Sequence, residues 1–99
     1  MGKKITTHSI VAAAHEQISA DLSSEAVILH LREGVYYGLN PIGARIWNLI
    51  QKPRKVTEIQ KTLLQEYQVT PHRCEKDLLA LLQDLTEHGL IEIKGEAIE

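Results

Sequence analysis

Cys74, the single cysteine, is the first residue to test for chemistry. A thiol nucleophile needs a histidine within hydrogen-bond reach and a third group to orient that histidine. His72 lies two positions away and falls on a different face of any helix that holds both residues. At about 3.6 residues per turn, Cys74 instead joins Leu78, Leu81, Leu82 and Leu85 in one apolar stripe, the place of a buried structural cysteine. The five histidines, His8, His15, His30, His72 and His88, contain no pair at i, i+3 or i+4. None is spaced with Cys74 as a zinc site requires; folding could bring His8 and His15 together, but scattered surface histidines are the favoured reading. With neither a nucleophile–base pair nor a ligand cluster, the expectation is a protein that is not an enzyme and has no metal or cofactor.

Nucleic acid is the next chemistry to test. "KPRKVTEIQK" gathers Lys52, Arg54, Lys55 and Lys61, a basic cluster of the kind that meets phosphates. The helix that would enter a groove, however, carries Glu75, Asp77, Asp84 and Glu87 against Arg73 and Lys76, and would repel a phosphate backbone. The basic cluster therefore reads as a solvated face, and no nucleic-acid partner is expected. The formal net charge of −2 implies no strong electrostatic partner of either sign.

The elements that must position any site fit in one small domain, because 99 residues leave little room for both a core and a deep catalytic cleft. The chain is 43% hydrophobic and 24% charged, values of an ordinary globular domain rather than a disordered or membrane-embedded one. A lone cysteine rules out an internal disulfide framework and points to the cytoplasm. Ile10 to Ala14 is too short a run for a signal peptide. "MGKKIT" fits a myristoylation pattern that nothing else supports, so no membrane association is expected.

From Gln17 to Leu39 apolar residues recur at every second position between turn-type residues, which predicts a three-stranded antiparallel meander. Ile18, Ala20 and Leu22 share one face of the first strand. Val27, Leu29 and Leu31 share one face of the second, with Ile28 and His30 opposite. In the third, Val35, Tyr37 and Leu39 point inward while Tyr36 and Gly38 point outward. After Asn40, a good N-cap, and Pro41 the period becomes helical, with Ile42, Ile46, Leu49 and Ile50 on one stripe. A second helix begins near Thr57 on Val56, Ile59, Leu63 and Tyr67. A third opens at Thr70–Pro71 and is closed by Gly89. "LIEIK" predicts a short terminal strand. The fold class is thus α+β, winged helix-turn-helix-like: a three-stranded antiparallel meander, three helices and a terminal strand. Residues 1–99 form a single domain in which 1–14 read as an N-terminal arm and 95–99 as a frayed tail.

The third strand is last in the meander, so its unpaired N–H and C=O groups can accept an extended peptide as an added strand. A loop or the N-terminal arm covering that edge is the alternative, and pattern alone does not choose between them.

"GVYYGLNPIGARIWNLI" resembles the hallmark segment of the PqqD family, in which a glycine–aromatic–tyrosine strand runs through Leu-Asn into a Gly-Ala-x-Ile-Trp helix. The likeness continues through "VTEIQKTLLQEYQV" and "EKDLLALLQDLTEHGLIE" and so spans Gln17 to Ile93. It implies a recognition element for ribosomally synthesised, post-translationally modified peptides (RiPPs). Such a domain is a peptide chaperone that binds the leader segment of a precursor peptide and presents it to a leader peptidase or another maturation enzyme. The length and the "YYGLN…GARIW" form are similar to the stand-alone B-type leader-binding proteins of lasso-peptide biosynthesis. The peptide chaperone of PQQ biosynthesis is the alternative, and a winged-helix DNA-binding regulator is the alternative of another class. Val35 stands where many relatives carry a basic residue.

The resemblance also implies that the leader adds antiparallel to the third strand and lies against the third helix. The leader-binding residues would then be Val35, Tyr36, Tyr37, Gly38 and Leu39 on the strand. On the helix, Arg73, Asp77, Ala80, Leu81 and Asp84 flank the core stripe. Asp77 and Asp84 could form charge-assisted bonds to the leader. A merely solvated flank is the alternative reading of the same residues.

Overall fold

The computed structural model describes residues 5–14, 17–22, 25–30 and 34–96. The expected meander is present as β2 (Gln17–Leu22), β3 (Glu25–His30) and β4 (Val35–Leu39), antiparallel in the order β2-β3-β4. In the β3–β4 register Ile28 stands opposite Tyr37, and Leu29 opposite Tyr36. The core face of β3 is the reverse of the one expected. Ile28 is fully buried, whereas Val27 and Leu29 are only half-buried, and Leu31 lies outside the described residues. "AVIL" is apolar at four consecutive positions, so its own alternation cannot choose a face. Register with Tyr37 and with buried Leu39 chooses it.

A second three-stranded antiparallel sheet joins β5 (Arg54–Lys55), β1 (Ser9–Ala13) and β6 (Ile91–Glu96) in that order. Much of the expected N-terminal arm is therefore the central strand of a sheet. Val11 is fully buried, Ala12 and Ala14 are buried, and the Ala13 and Ala14 N–H groups donate to the carbonyls of Ile50 and Leu90 at 2.8 and 2.9 Å. A strand covered on both faces reads as a continuous apolar run, which is why "IVAAA" shows no alternation. The expected terminal strand is β6, and it includes Gly95 and Glu96 of the expected tail; residues 97–99 lie outside the described residues. With β1 and β5 added, the likeness to a winged helix is loose.

The three helices are α1 (Pro41–Leu49), α2 (Val56–Glu66) and α3 (Pro71–Glu87). The Asn40 side chain accepts from the Gly43 N–H at 2.8 Å and Thr70 Oγ1 accepts from the Arg73 N–H at 3.4 Å, so both proline-led helices are capped as their sequences predict. In α1 the buried face is Gly43, Ala44, Ile46 and Trp47, continuing to Ile50; Ile42 falls outside it and is 39% exposed. Trp47, larger than its neighbours, takes the core and turns the stripe away from Ile42. In α3, Cys74, Leu78, Leu82 and Leu85 are buried as expected and Leu81 sits half-buried at the border. These side chains close one core with Ile28, Ile50, Val56, Ile59 and Val11.

Candidate functional site

Between β4 and α3 runs a groove of about 380 Å³. β4 supplies Tyr37, Gly38 and Leu39, and α1 supplies Ile42, Gly43 and Ile46. Leu63, Tyr67 and Val69, from α2 and the segment after it, form the far side, and α3 supplies Cys74, Asp77, Leu78 and Leu81. Its surface is mostly apolar, and Ile42 and Val69, each 39% exposed, stand as apolar residues open to solvent. Such a cleft suits apolar side chains fixed by a few polar groups.

The residues expected at the site divide into four groups. Tyr37, Gly38, Leu39, Asp77 and Leu81 come together in the groove. Tyr36 is 72% exposed on the opposite face of β4, as alternation requires, and Val35 opens the strand. Arg73 and Ala80 are exposed and outside the groove lining; Arg73 forms an exposed ion pair with Asp77 at 3.6 Å. Asp84 is also outside the lining, and its carboxylate accepts the Tyr37 hydroxyl. Sequence reasoning did not place Ile42, Ile46, Leu63, Tyr67 or Val69 at the site. Only tertiary packing brings them there, and the one local signal was Ile42, an apolar residue displaced from the stripe once Trp47 is set inward.

The Tyr37–Asp84 bond straps the strand to the last turns of α3. His88 braces it, with its ring edge-on to Tyr37 at 5.4 Å and 67°, and its Nδ1 2.8 Å from the Asp84 carbonyl oxygen and 3.6 Å from the carboxylate. Burial, then the hydrogen bond and negative charge of Asp84, push the Tyr37 phenol up to about 12. Burial, assisted by the charge of Asp77, also pushes the Cys74 thiol up, away from the thiolate a nucleophile requires. On the outer flank, Arg45 binds both carboxylate oxygens of Glu66 through Nε and Nη2, at 2.7 to 3.2 Å, and ties α1 to the end of α2. Among the described residues no group of histidine, cysteine and carboxylate side chains could hold a metal ion. No described helix is long and apolar enough to cross a membrane.

The backbone of β4 completes the site. Among the described residues its one strand neighbour is β3. β6, an edge of the other sheet, exposes Glu92, Lys94 and Glu96 and is kinked where its register with β1 shifts, with Gly95 at φ +153°. Charges and bulges of that kind block unwanted strand pairing. β4 reads Val-Tyr-Tyr-Gly-Leu and has no charged residue. The geometry thus offers a place for an extended backbone, with an apolar channel alongside.

The fold belongs to a known class of small domain. The family model described as coenzyme PQQ synthesis protein D (PqqD) matches residues 25–91, and the chain belongs to the PqqD family. Among solved structures it is similar to "TbiB1 in Complex with the TbiA(beta) Leader Peptide", with 33% identity and a TM-score of 0.77, covering 88% of this chain and 99% of that one. It is also similar to "Lasso peptide synthetase B1 complexed with the leader peptide", with 27% identity and a TM-score of 0.74, covering 83% of this chain and 96% of that one. No curated protein matches the chain.

Proposed function

We propose that this protein binds the leader segment of a ribosomally synthesised precursor peptide of the lasso type and presents it to the enzymes that process it. It does so as a chaperone without catalytic activity, in the cytoplasm. The leader enters as an antiparallel strand on the edge of β4 away from β3 and rests its inward side chains in the groove against α3. The observation that carries this reading is the pairing of an uncharged, unblunted strand edge with an apolar groove beside it. Both similar structures are complexes with leader peptides, which supports the same reading. Strand pairing supplies affinity that depends little on side chains, and the groove supplies selectivity. The leader-contacting set is Tyr36 to Leu39, Asp77 and Leu81, joined by Ile42, Ile46, Leu63, Tyr67 and Val69.

The PQQ pathway is the second reading, favoured by the description of the family model. Titration with a synthetic leader from each class of precursor, followed by backbone amide shifts, decides between them and tests the site. Shifts concentrated on β4 and on residues 74–81 of α3 are expected, while duplex DNA at moderate salt leaves the spectrum unchanged. Shifts concentrated at Lys52 to Lys61 instead would overturn the strand-addition reading.

A further inference from the structure

Gly38 occupies the middle of a strand where nothing in the fold asks for glycine. Its backbone is outside the positive-φ region, and a Cβ built there meets no heavy atom within 4 Å. A glycine within a strand is destabilising relative to alanine and leaves nothing to pack. Two positions away, about 7 Å along the strand and on the same outward face, stands Tyr36, the most exposed large apolar residue of the described chain at 72%. Val27 and Leu29 of β3 lie directly opposite Gly38 and Tyr36, and both are half-buried. The outer face of β4 therefore holds a shallow notch. The Gly38 backbone is its floor, Tyr36 and Val27 are its neighbours on the same face of the sheet, and it opens toward the edge of β4 away from β3, which borders the groove.

We infer that this outer notch is a second reading site for the docked peptide: the leader residue opposite Gly38 carries a large apolar or aromatic side chain that lies over the glycine and packs on Tyr36. The inference rests on the strand-docking reading above. In an added strand, side chains directly opposite one another are about 4.5–5.5 Å apart at Cβ, so the side chain facing Gly38 covers bare backbone and reaches Tyr36 diagonally. An aromatic ring laid across a strand glycine is a known stabilising pair. The residues flanking it in the leader point the other way, into the apolar groove. The selected ligand is thus an extended segment with apolar side chains at consecutive positions. A segment read by the groove alone would alternate apolar and polar residues.

Filling the notch tests this without removing a backbone donor. Gly38→Val keeps the N–H, suits a strand and has room, so its denaturation midpoint should equal or exceed that of the native protein. Leader affinity, by calorimetric titration, should fall at least tenfold. Tyr36→Ser, an exposed change, should lower it severalfold. Contacts to the Gly38 Hα protons in the spectrum of the complex identify the leader residue opposite. With that residue changed to alanine, the native protein and both variants should bind alike. Native-like binding of the unaltered leader by Gly38→Val, or continued discrimination against Gly38→Val by the alanine leader, would overturn the notch while leaving strand docking intact. Failure of the native protein to bind any leader would overturn the docking reading and the notch with it.

Discussion

Tyr37→Phe removes one hydroxyl and tests the strap between β4 and α3. The displacement of the Tyr37 phenol from 10.0 to about 12 corresponds to about 2.7 kcal/mol between its neutral and ionised forms. The Asp84 side chain is 48% exposed, so solvent screens the pair, and about 1 kcal/mol is a realistic contribution. A hydrogen bond to a carboxylate that can regain water is of similar size. The sign follows from the direction of the shift. Folding favours the protonated phenol, so the contribution is complete below pH 10 and is lost as pH rises through about 12. Tyr37→Phe should therefore lower stability at neutral pH by about 1 kcal/mol, or about 4–8 °C in Tm for a domain of this size. It should also flatten the alkaline limb of the stability curve: burial, the largest cause of the shift, penalises only the ionised phenol, so above pH 12 the variant should match or exceed the native protein. Urea denaturation across pH, with an ultraviolet titration of tyrosinate, measures both effects. An unchanged midpoint at neutral pH together with an unchanged alkaline limb would refute the strap.

Three further outcomes are expected. Asp77→Ala should weaken leader binding by about 1–3 kcal/mol, the range of a charge-assisted hydrogen bond, and more than Arg73→Ala, since only Asp77 lines the groove; calorimetric titration of the two variants compares them. Val11→Ala should cost about 1–3 kcal/mol of stability in denaturant unfolding, because Val11 is fully buried in a central strand. Cys74 should react slowly with a thiol reagent at neutral pH, since burial raises its pKa, and more slowly still once leader covers the groove that it lines; timed labelling followed by mass spectrometry reads both rates.

The parts of the fold visible in sequence were those with a period and a boundary. Asn40-Pro41 and Thr70-Pro71 announce α1 and α3, and the leucines of α3 separate core from border down to half-buried Leu81. Where both faces are apolar the period is silent. That concealed β1, whose run of apolar residues lies between two strands, and it inverted the face of β3. β5 is two residues long and carries no periodic signal at all. The site divided along the same physical line. Alternation and helical period place Tyr37, Gly38 and Leu39 on the strand and Asp77 and Leu81 on the helix flank, but it was the resemblance to the PqqD family, not the pattern, that set the two against each other. The opposite wall, Ile42 to Val69, depends on how α1 and α2 pack and has no local signature. Asp84 lies on the flank that the helical period marks, but its bond from the Tyr37 hydroxyl has no counterpart in any sequence spacing.

The junction of β4 and α1 has a mechanical consequence. A Cβ at Gly43 would come within 3.2 Å of both Asn40 Oδ1 and Leu39 Cδ2, so the first turn of α1 is seated directly on the end of the strand, with the Asn40 cap between them. The two elements meet without slack and form one rigid jaw. The opposing wall is α3, tied to the strand through Tyr37 by Asp84 and His88 and packed into the same core. Because Cys74, Leu78, Leu82 and Leu85 fix α3 in the same core that holds Leu39, a peptide docking beside β4 would meet walls already in place, with no helix to displace before it seats.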